Sequence, residues 1–257
     1  MKNYLELKNV TFRYGAEVIV EQLDFAVKKG EFVVLIGPSG CGKSTLLSLA
    51  AGLVKPETGE VLMDGERLDG PTLKTSVIFQ HNSLFPWMTV EKNVRFGLKQ
   101  AKPELSKKKQ KERSLKALRQ VGLLEAAKKY PAELSGGMQQ RTAIARMLAM
   151  DSALLLLDEP FAAIDPKRRG ELQALLTELW QKGRENGEKK TVLFVTHDID
   201  EAILLADRIV YFGKRGVLKE IEVSLERPRR AENLAGSGCF CGLRKELVAL
   251  FSREEAE

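Results

Sequence analysis

Residues 37–45, GPSGCGKST, have the spacing G-x-x-x-x-G-K-[ST], which suits a polyphosphate. Glycines let successive backbone N–H groups turn inward on an anion, and a following helix adds its positive end. Gly37, Pro38, Ser39, Gly40, Cys41, Gly42, Lys43, Ser44 and Thr45 are thus candidate nucleotide contacts. Lys43 is placed to reach the terminal phosphates, and the Ser44 hydroxyl to ligate Mg²⁺. A bound nucleoside triphosphate is the expectation.

Other reactive side chains recur just after apolar runs. Asp158 and Glu159 follow LLLL, Gln80 follows TSVIF, and His197 follows TVLFVT. Asp158 suits holding Mg²⁺ directly or through water, and Glu159 orienting or deprotonating a water. Gln80 supplies an oxygen for the metal or that water, and His197 a γ-phosphate contact. Ser135, Gly136 and Gly137 open a further helical pattern, making a second anion site. Because the first helix is already committed to phosphate, that second site implies two chains sandwiching one nucleotide.

The elements must bring these groups to one edge. FVVLI before the glycine loop reads as a strand buried on both faces. Leu46, Leu47, Leu49 and Ala50 after it suit a helix stopping at Gly52. Upstream, LELKNVTFRYG alternates, with Leu5, Leu7, Val10 and Phe12 as inward candidates and a turn at Lys29 and Gly30. Strands are predicted at 59–63, 75–79, 153–157, 191–195 and, last, 209–212. Helices are predicted from Ser135, along Leu172, Leu175, Leu176 and Leu179, and over 199–207; GRENGEKK, residues 183–190, reads as a polar loop. Strands alternating with helices imply a mainly parallel α/β sheet, whose C-terminal edge is where ligands bind.

Composition narrows the class. A chain of 257 residues, 44% hydrophobic and 30% charged, is long enough for one large α/β domain or a core with a subdomain. No apolar run nears the roughly 20 residues of a membrane span, and MKNYLELKNV lacks a secretory core, so a cytoplasmic location is expected. Cys41, Cys239 and Cys241 fit free thiols in a reducing compartment. Much of the net charge of +6 comes from a basic run between Lys99 and Arg119; a solvated helix face explains it, and no nucleic-acid surface is indicated.

With LSGGMQQR at 134–141, the motif set resembles the ATP-binding cassette ATPases, the motor subunits of ABC transporters, over about residues 4–225. GPSGCGKST matches the Walker A loop, LLLLDEP the Walker B strand and LSGGMQQR the signature motif. Gln80 falls at the Q-loop, Ala162, Ala163, Ile164 and Asp165 at the D-loop, and His197 at the switch histidine. Tyr14 matches the aromatic residue that stacks on adenine. The resemblance implies a P-loop (RecA-like) α/β core, an antiparallel β subdomain and an α-helical signature subdomain over about 83–147, with a short helical tail at 226–257. Leu243, Leu247, Leu250 and Phe251 would pack that tail onto its own domain.

It further implies ATP and Mg²⁺, a head-to-tail homodimer and two shared ATP sites. Glu159, His197, Gln80 and Lys43 would be catalytic; Ser44, Gln80 and Asp158 would hold the metal. Tyr14, the glycine loop, Ser135, Gly136, Gly137 and Asp165 would contact nucleotide. One departure is Ala162, where the family often has serine. LFPWMTVEKNV and THDIDEAILLADRIVYF look like the nitrate, sulfonate and taurine importer group. Permease subunits would then dock near residues 80–88, an external solute-binding protein would act indirectly, and the motor would sit on the cytoplasmic membrane face. An exporter motor is the nearest rival. A soluble DNA or ribosome ATPase would usually carry two cassettes or a long coiled-coil insertion, neither of which is read in this sequence, and a small-molecule kinase leaves LSGGM without a purpose.

Overall fold

The computed structural model describes residues 2–80, 84–185, 190–214, 216–229 and 237–254. The chain forms two compact units, Met1–Pro71 with Thr191–Glu257, and Thr72–Lys190.

In the first unit β1 (Asn3–Tyr14) and β2 (Glu17–Lys28) pair antiparallel, and β4 (Thr58–Met63) and β5 (Glu66–Arg67) extend the sheet in the order β2-β1-β4-β5. The inward residues of β1 change parity, Leu5 and Leu7 before Asn9 but Val10 and Phe12 after it, and all four are buried. A bulge absorbs the extra residue. The register shifts between Leu7 and Val10, Asn9 takes φ 49°, and its N–H donates to Asp24 Oδ1 at 2.9 Å.

β3 (Phe32–Ile36), with all five residues buried, runs parallel to β8 (Thr191–Val195) on one side and β9 (Arg208–Gly213) on the other. β10 (Gly216–Glu222), absent from the sequence expectation, pairs antiparallel with β9. Only Ile221 of β10 is buried, so it lacks the continuous apolar run that identified its neighbours. α1 (Lys43–Ala50) buries Leu46, Leu47, Leu49 and Ala50. α6 (Ile199–Leu205) is shorter than the predicted span to Asp207, because Ala206 is already extended. Helix α7 (Gly238–Glu254) buries Leu247 and sets Phe251 edge-on to Tyr211 at 5.2 Å.

The second unit pairs β6 (Thr75–Ile78) and β7 (Leu154–Asp158) in parallel. Helices α2 (Val90–Ala101), α3 (Lys107–Gln120) and α4 (Gly136–Met150) pack on one another, and α5 (Pro166–Glu185) follows β7. At Gly97 an added Cβ would lie 2.7 Å from Arg146 Cγ, so this glycine lets α2 approach α4. α3 carries the basic run and presents Lys107, Lys108, Lys109, Lys111, Arg113, Lys116 and Arg119 to solvent. α5 runs further than predicted: Gly183, Arg184 and Glu185, assigned to a polar loop, are helical. Its buried residues Leu172, Leu176 and Trp180 repeat every fourth position and carry the helix past the polar composition. Residues 186–189 of that loop, and Ser83 at the predicted start of the helical section, lie outside the described residues.

Asp151 ties the end of α4 to the residue after α2 and to Lys190. It ends α4 with left-handed backbone, and its carboxylate accepts from Lys102 Nζ at 2.9 Å and Lys190 Nζ at 2.6 Å. Burial alone would raise its pKa, but the two ammonium groups outweigh it and hold the carboxyl below the ordinary value. A depressed folded pKa means stabilisation present above the unfolded value, about 3.9, and lost as pH falls through the folded one. Asp151→Asn should therefore lower stability at pH 7 by up to about 1 kcal/mol for these partly exposed pairs. The deficit should shrink near pH 3, as urea denaturation of both proteins at the two pH values will read.

Candidate functional site

Residues 37–42 form the turn between β3 and α1, and residues 43–45 open the helix. A Cβ on Gly37 would sit 2.0 Å from the Phe212 carbonyl oxygen, so only glycine fits where the loop crosses the end of β9. Gly42 caps α1 with φ 103°, a conformation side chains resist. Lys43 is buried, and its Nζ donates to the carbonyls of Gly37 at 2.9 Å and Pro38 at 2.6 Å, with Cys41 Sγ at 3.4 Å. The ammonium is thus aimed into the curl of its own loop. Ser44 is exposed in the first helical turn, Ser39 and Gly40 are exposed at the tip, and Thr45 and Cys41 are buried.

β8 pairs with β3 in parallel, Leu35 opposite Val195, which brings His197 to the same strand end as the glycine loop. The imidazole is exposed. Directly after it, Asp198 caps α6: its Oδ1 accepts from Glu201 N at 3.0 Å, and its own N–H donates to Thr196 Oγ1 at 3.0 Å. Tyr14, at the end of β1, is 53% exposed with its ring edge-on to Phe12 at 4.9 Å, so an aromatic surface is available at that sheet corner.

The remaining candidates belong to the second unit. Ile78 lies opposite Leu157 in the parallel β6–β7 pair, so Gln80 and Glu159 emerge at the same end. Gln80 Nε2 is 3.5 Å from Glu159 Oε2. Asp158 is buried as the last residue of β7. Glu159 has φ 45°, a left-handed conformation costing a non-glycine residue about 1–3 kcal/mol, and such strain collects at working sites. Gln140 supports this turn: almost fully buried, it donates from Nε2 to the Glu159 carbonyl at 3.4 Å.

Ser135 caps α4, its Oγ accepting from Met138 N at 3.4 Å. An added Cβ on Gly137 would lie 2.7 Å from the Ala163 carbonyl oxygen, whereas Gly136 has open space. Ser135, Gly136, Gly137, Arg141, Ala163, Ile164 and Asp165 line an open pocket. Asp165 Oδ1 accepts from Arg168 N at 3.1 Å and fixes the start of α5. Arg141 donates to the Val121 carbonyl at 3.1 Å, and burial, then the neighbouring Arg168 charge, pull its pKa down. The pocket lining thus carries one guanidinium, Arg141, and one carboxylate, Asp165, and it is the open N-terminal turn of α4 at Ser135, Gly136 and Gly137 that suits it to an anion.

An aromatic patch completes this unit. The Phe85 ring lies tilted against Trp87 at 5.6 Å and edge-on to Phe96 at 4.7 Å, and Trp87 is 70% exposed. Its organiser is Asn93, which the sequence reading passed over. Fully buried, its Oδ1 accepts from Phe85 N at 2.8 Å, and its Nδ2 donates to the carbonyls of Phe85, Met88 and Thr89 at 3.0–3.1 Å. An asparagine inside the apolar face of a helix was the available signal, since asparagine favours caps and turns there.

A family model described as ABC transporter matches residues 20–162. The chain is 43% identical over 260 aligned residues to an uncharacterised ABC transporter ATP-binding protein of Methanocaldococcus jannaschii, covering 99% of this chain and 93% of that protein. The chain belongs to the ABC transporter family. The ABC chain is also 41% identical to a nitrate import ATP-binding protein of Synechococcus elongatus, over 94% of this chain and 88% of the relative. With an aliphatic sulfonates import ATP-binding protein of Bacillus thuringiensis it shares 46% identity over 84% and 82%.

Among solved structures, a dimeric ATP-binding cassette in a post-hydrolysis state, bound to ADP and Pi, matches with TM-score 0.77 and 33% identity, over 86% of this chain and all of that one. The fold is accordingly that of a P-loop ATPase, and the ABC chain is the ATP-hydrolysing component of a transporter. Among the described residues, no helix is long and apolar enough to cross a membrane.

Gly37→Ala will force the glycine loop off the end of β9. We expect ATP affinity to fall at least tenfold, read by fluorescent-nucleotide titration. Thermal stability should drop as well, by the roughly 1–3 kcal/mol typical of overpacking a tight site.

Proposed function

We propose that this ABC ATPase is the motor subunit of an importer, in which ATP closes a head-to-tail pair of chains and hydrolysis reopens it. The observation carrying this reading is the pocket of Ser135, Gly136, Gly137, Arg141 and Asp165. It is a second anion-suited surface on a chain that already has a complete phosphate loop. Its natural use is to cover the phosphates held by another copy. The solved relative described as dimeric and bound to ADP and Pi supports the arrangement.

In this scheme Tyr14 stacks on adenine, the backbone from Gly37 to Thr45 cradles the phosphates, and Lys43 neutralises the terminal ones. Ser135, Gly136, Gly137 and Asp165 complete the site from the opposite chain. Glu159 polarises the attacking water, and His197 and Gln80 hold the γ-phosphate and that water in line. Ser44, Gln80 and Asp158 would hold Mg²⁺. A hydroxyl, an amide and a carboxylate are hard oxygen donors that fit this ion, and Asp158 ends β7 as a buried carboxylate suited to a cation. When bound, the ion would neutralise phosphate charge. Residues 1–225 would form the nucleotide-binding domain, with a helical subdomain at about 83–147 and a tail at 226–257.

Import is favoured by the nitrate and aliphatic sulfonate import relatives. The exposed Phe85–Trp87–Phe96 patch would be the docking face: a short permease helix would bury Trp87 in the region of residues 80–88. The motor would then sit at the cytoplasmic membrane face, with a solute-binding protein acting outside. A small solute of the nitrate, sulfonate or taurine kind would be the cargo.

Glu159→Gln should bind Mg·ATP, slow hydrolysis at least about 100-fold, and accumulate as a dimer by light scattering. A variant that stays monomeric at saturating ATP would overturn the sandwich. Ser135→Arg should likewise suppress turnover yet leave ATP affinity of the single chain within about twofold; loss of that affinity would place Ser135 in the chain's own site.

A further inference from the structure

His197 is followed at once by a helix too short to hold itself. α6 has seven residues, and isolated helices of that length are unstable in water. The last carbonyls of any helix also lack internal partners. In this protein they are taken by two arginines about twenty residues downstream. Arg229 Nη1 donates to the Ile203 carbonyl at 3.0 Å and the Ala206 carbonyl at 2.5 Å. Arg227 Nη2 donates to the Leu205 carbonyl at 2.6 Å and to Asp207 Oδ1 at 3.1 Å.

The other edge of each contact is anchored. Arg229 Nη2 donates to the carbonyls of Val223 at 2.9 Å and Leu225 at 2.8 Å, and its Nε to Leu225 at 3.1 Å. Asp207 accepts from the Phe32 N–H at 3.2 Å and donates its own N–H to the Phe32 carbonyl at 2.8 Å. The helix end is thereby pinned to the first residue of β3, the strand whose far end carries the glycine loop. α6 buries Ala202, Ile203 and Leu205, so it is seated as well as tethered. At the front of the helix Arg244 of α7 pairs with Asp200 at 2.8 Å, but both side chains are exposed and this contact is weaker.

Five hydrogen bonds from one guanidinium to four carbonyls is a costly use of an arginine. Burial, and then the adjacent Arg227 charge, lower the Arg229 pKa to about 10, still well above neutral pH. A cation fixed at a helix C-terminus also complements the helix dipole.

We propose that Arg227 and Arg229 are positioning residues for hydrolysis: by fixing where α6 ends, they fix where His197 stands relative to residues 37–45. The proposal rests on the reading of His197 as a γ-phosphate contact. Both arginines spend their hydrogen bonds around the end of α6 away from His197, so the clamp should act on turnover and not on binding. Displacing a catalytic group by an ångström can cost about a hundredfold in rate, and loosening one of two clamps should cost less.

The test is a double-mutant cycle in the full chain with His197→Ala, Arg229→Gln and their combination. It is read by single-turnover phosphate release, ATP affinity and thermal melting. Arg229→Gln alone should lower the hydrolysis rate about tenfold and leave ATP affinity within about twofold. In the His197→Ala background it should lower the rate no further, although the melting temperature falls equally in both. Arg229→Lys, which keeps the charge but cannot span four carbonyls, should behave like Arg229→Gln. Rate losses that multiply in the double variant would overturn the proposal, as would a melting shift with no change in rate. A His197→Ala single variant with full activity would instead sink the reading of His197 and the proposal with it. Should Arg229→Gln fail to fold, Arg227→Gln, which removes the contacts to the Leu205 carbonyl and Asp207, takes its place in the same cycle.

Discussion

The first unit depends on one close approach, the backbone of Gly37 passing over the carbonyl of Phe212. The contact is possible because β3 and β9 run parallel with Ile36 opposite Tyr211, so the loop leaves its strand beside the end of its neighbour. From there the chain must curl tightly enough for Lys43 to reach back to the Gly37 and Pro38 carbonyls. Any side chain at position 37 lifts the start of that curl. The buried apolar run FVVLI is the other half of the same constraint. It fixes the strand in the sheet, and the glycine lets the loop lie against it.

The second unit achieves its geometry by a different means. Glu159 adopts a left-handed backbone that its side chain disfavours, and the turn is held from outside by the buried amide of Gln140. The carboxylate then stands beside Gln80 at the end of the β6–β7 pair. Strain in one residue is offset by a hydrogen bond from another element, as expected where position matters more than local comfort. Asn93 works in the same way for the aromatic patch. One buried amide satisfies four backbone groups and shapes a loop that has no regular structure.

The parts of the architecture written locally were legible in the sequence. FVVLI, LLLLD and TVLFV are continuous apolar runs and became buried strands, while the serine before two glycines became a helix cap. The parity change between Leu7 and Val10 was visible too, although the bulge that explains it needed Asp24 from the next strand. What escaped was non-local. β10 is mostly exposed and exists because β9 offers it an edge. α5 outran its polar ending because Trp180 finds a buried place. Gln140, Asn93, Arg227 and Arg229 act on backbone groups, and backbone partners leave no mark in composition. For the site, motif spacing named the groups but not the hydrogen bonds that hold them.

Gly137 and Ala163 meet so closely that a single methyl group would separate them. The first turn of α4 and the loop leading into α5 therefore leave no room for a side chain between them. Any residue larger than glycine at 137 would have to push apart the two walls of one cleft, the wall with Ser135 and the wall with Asp165.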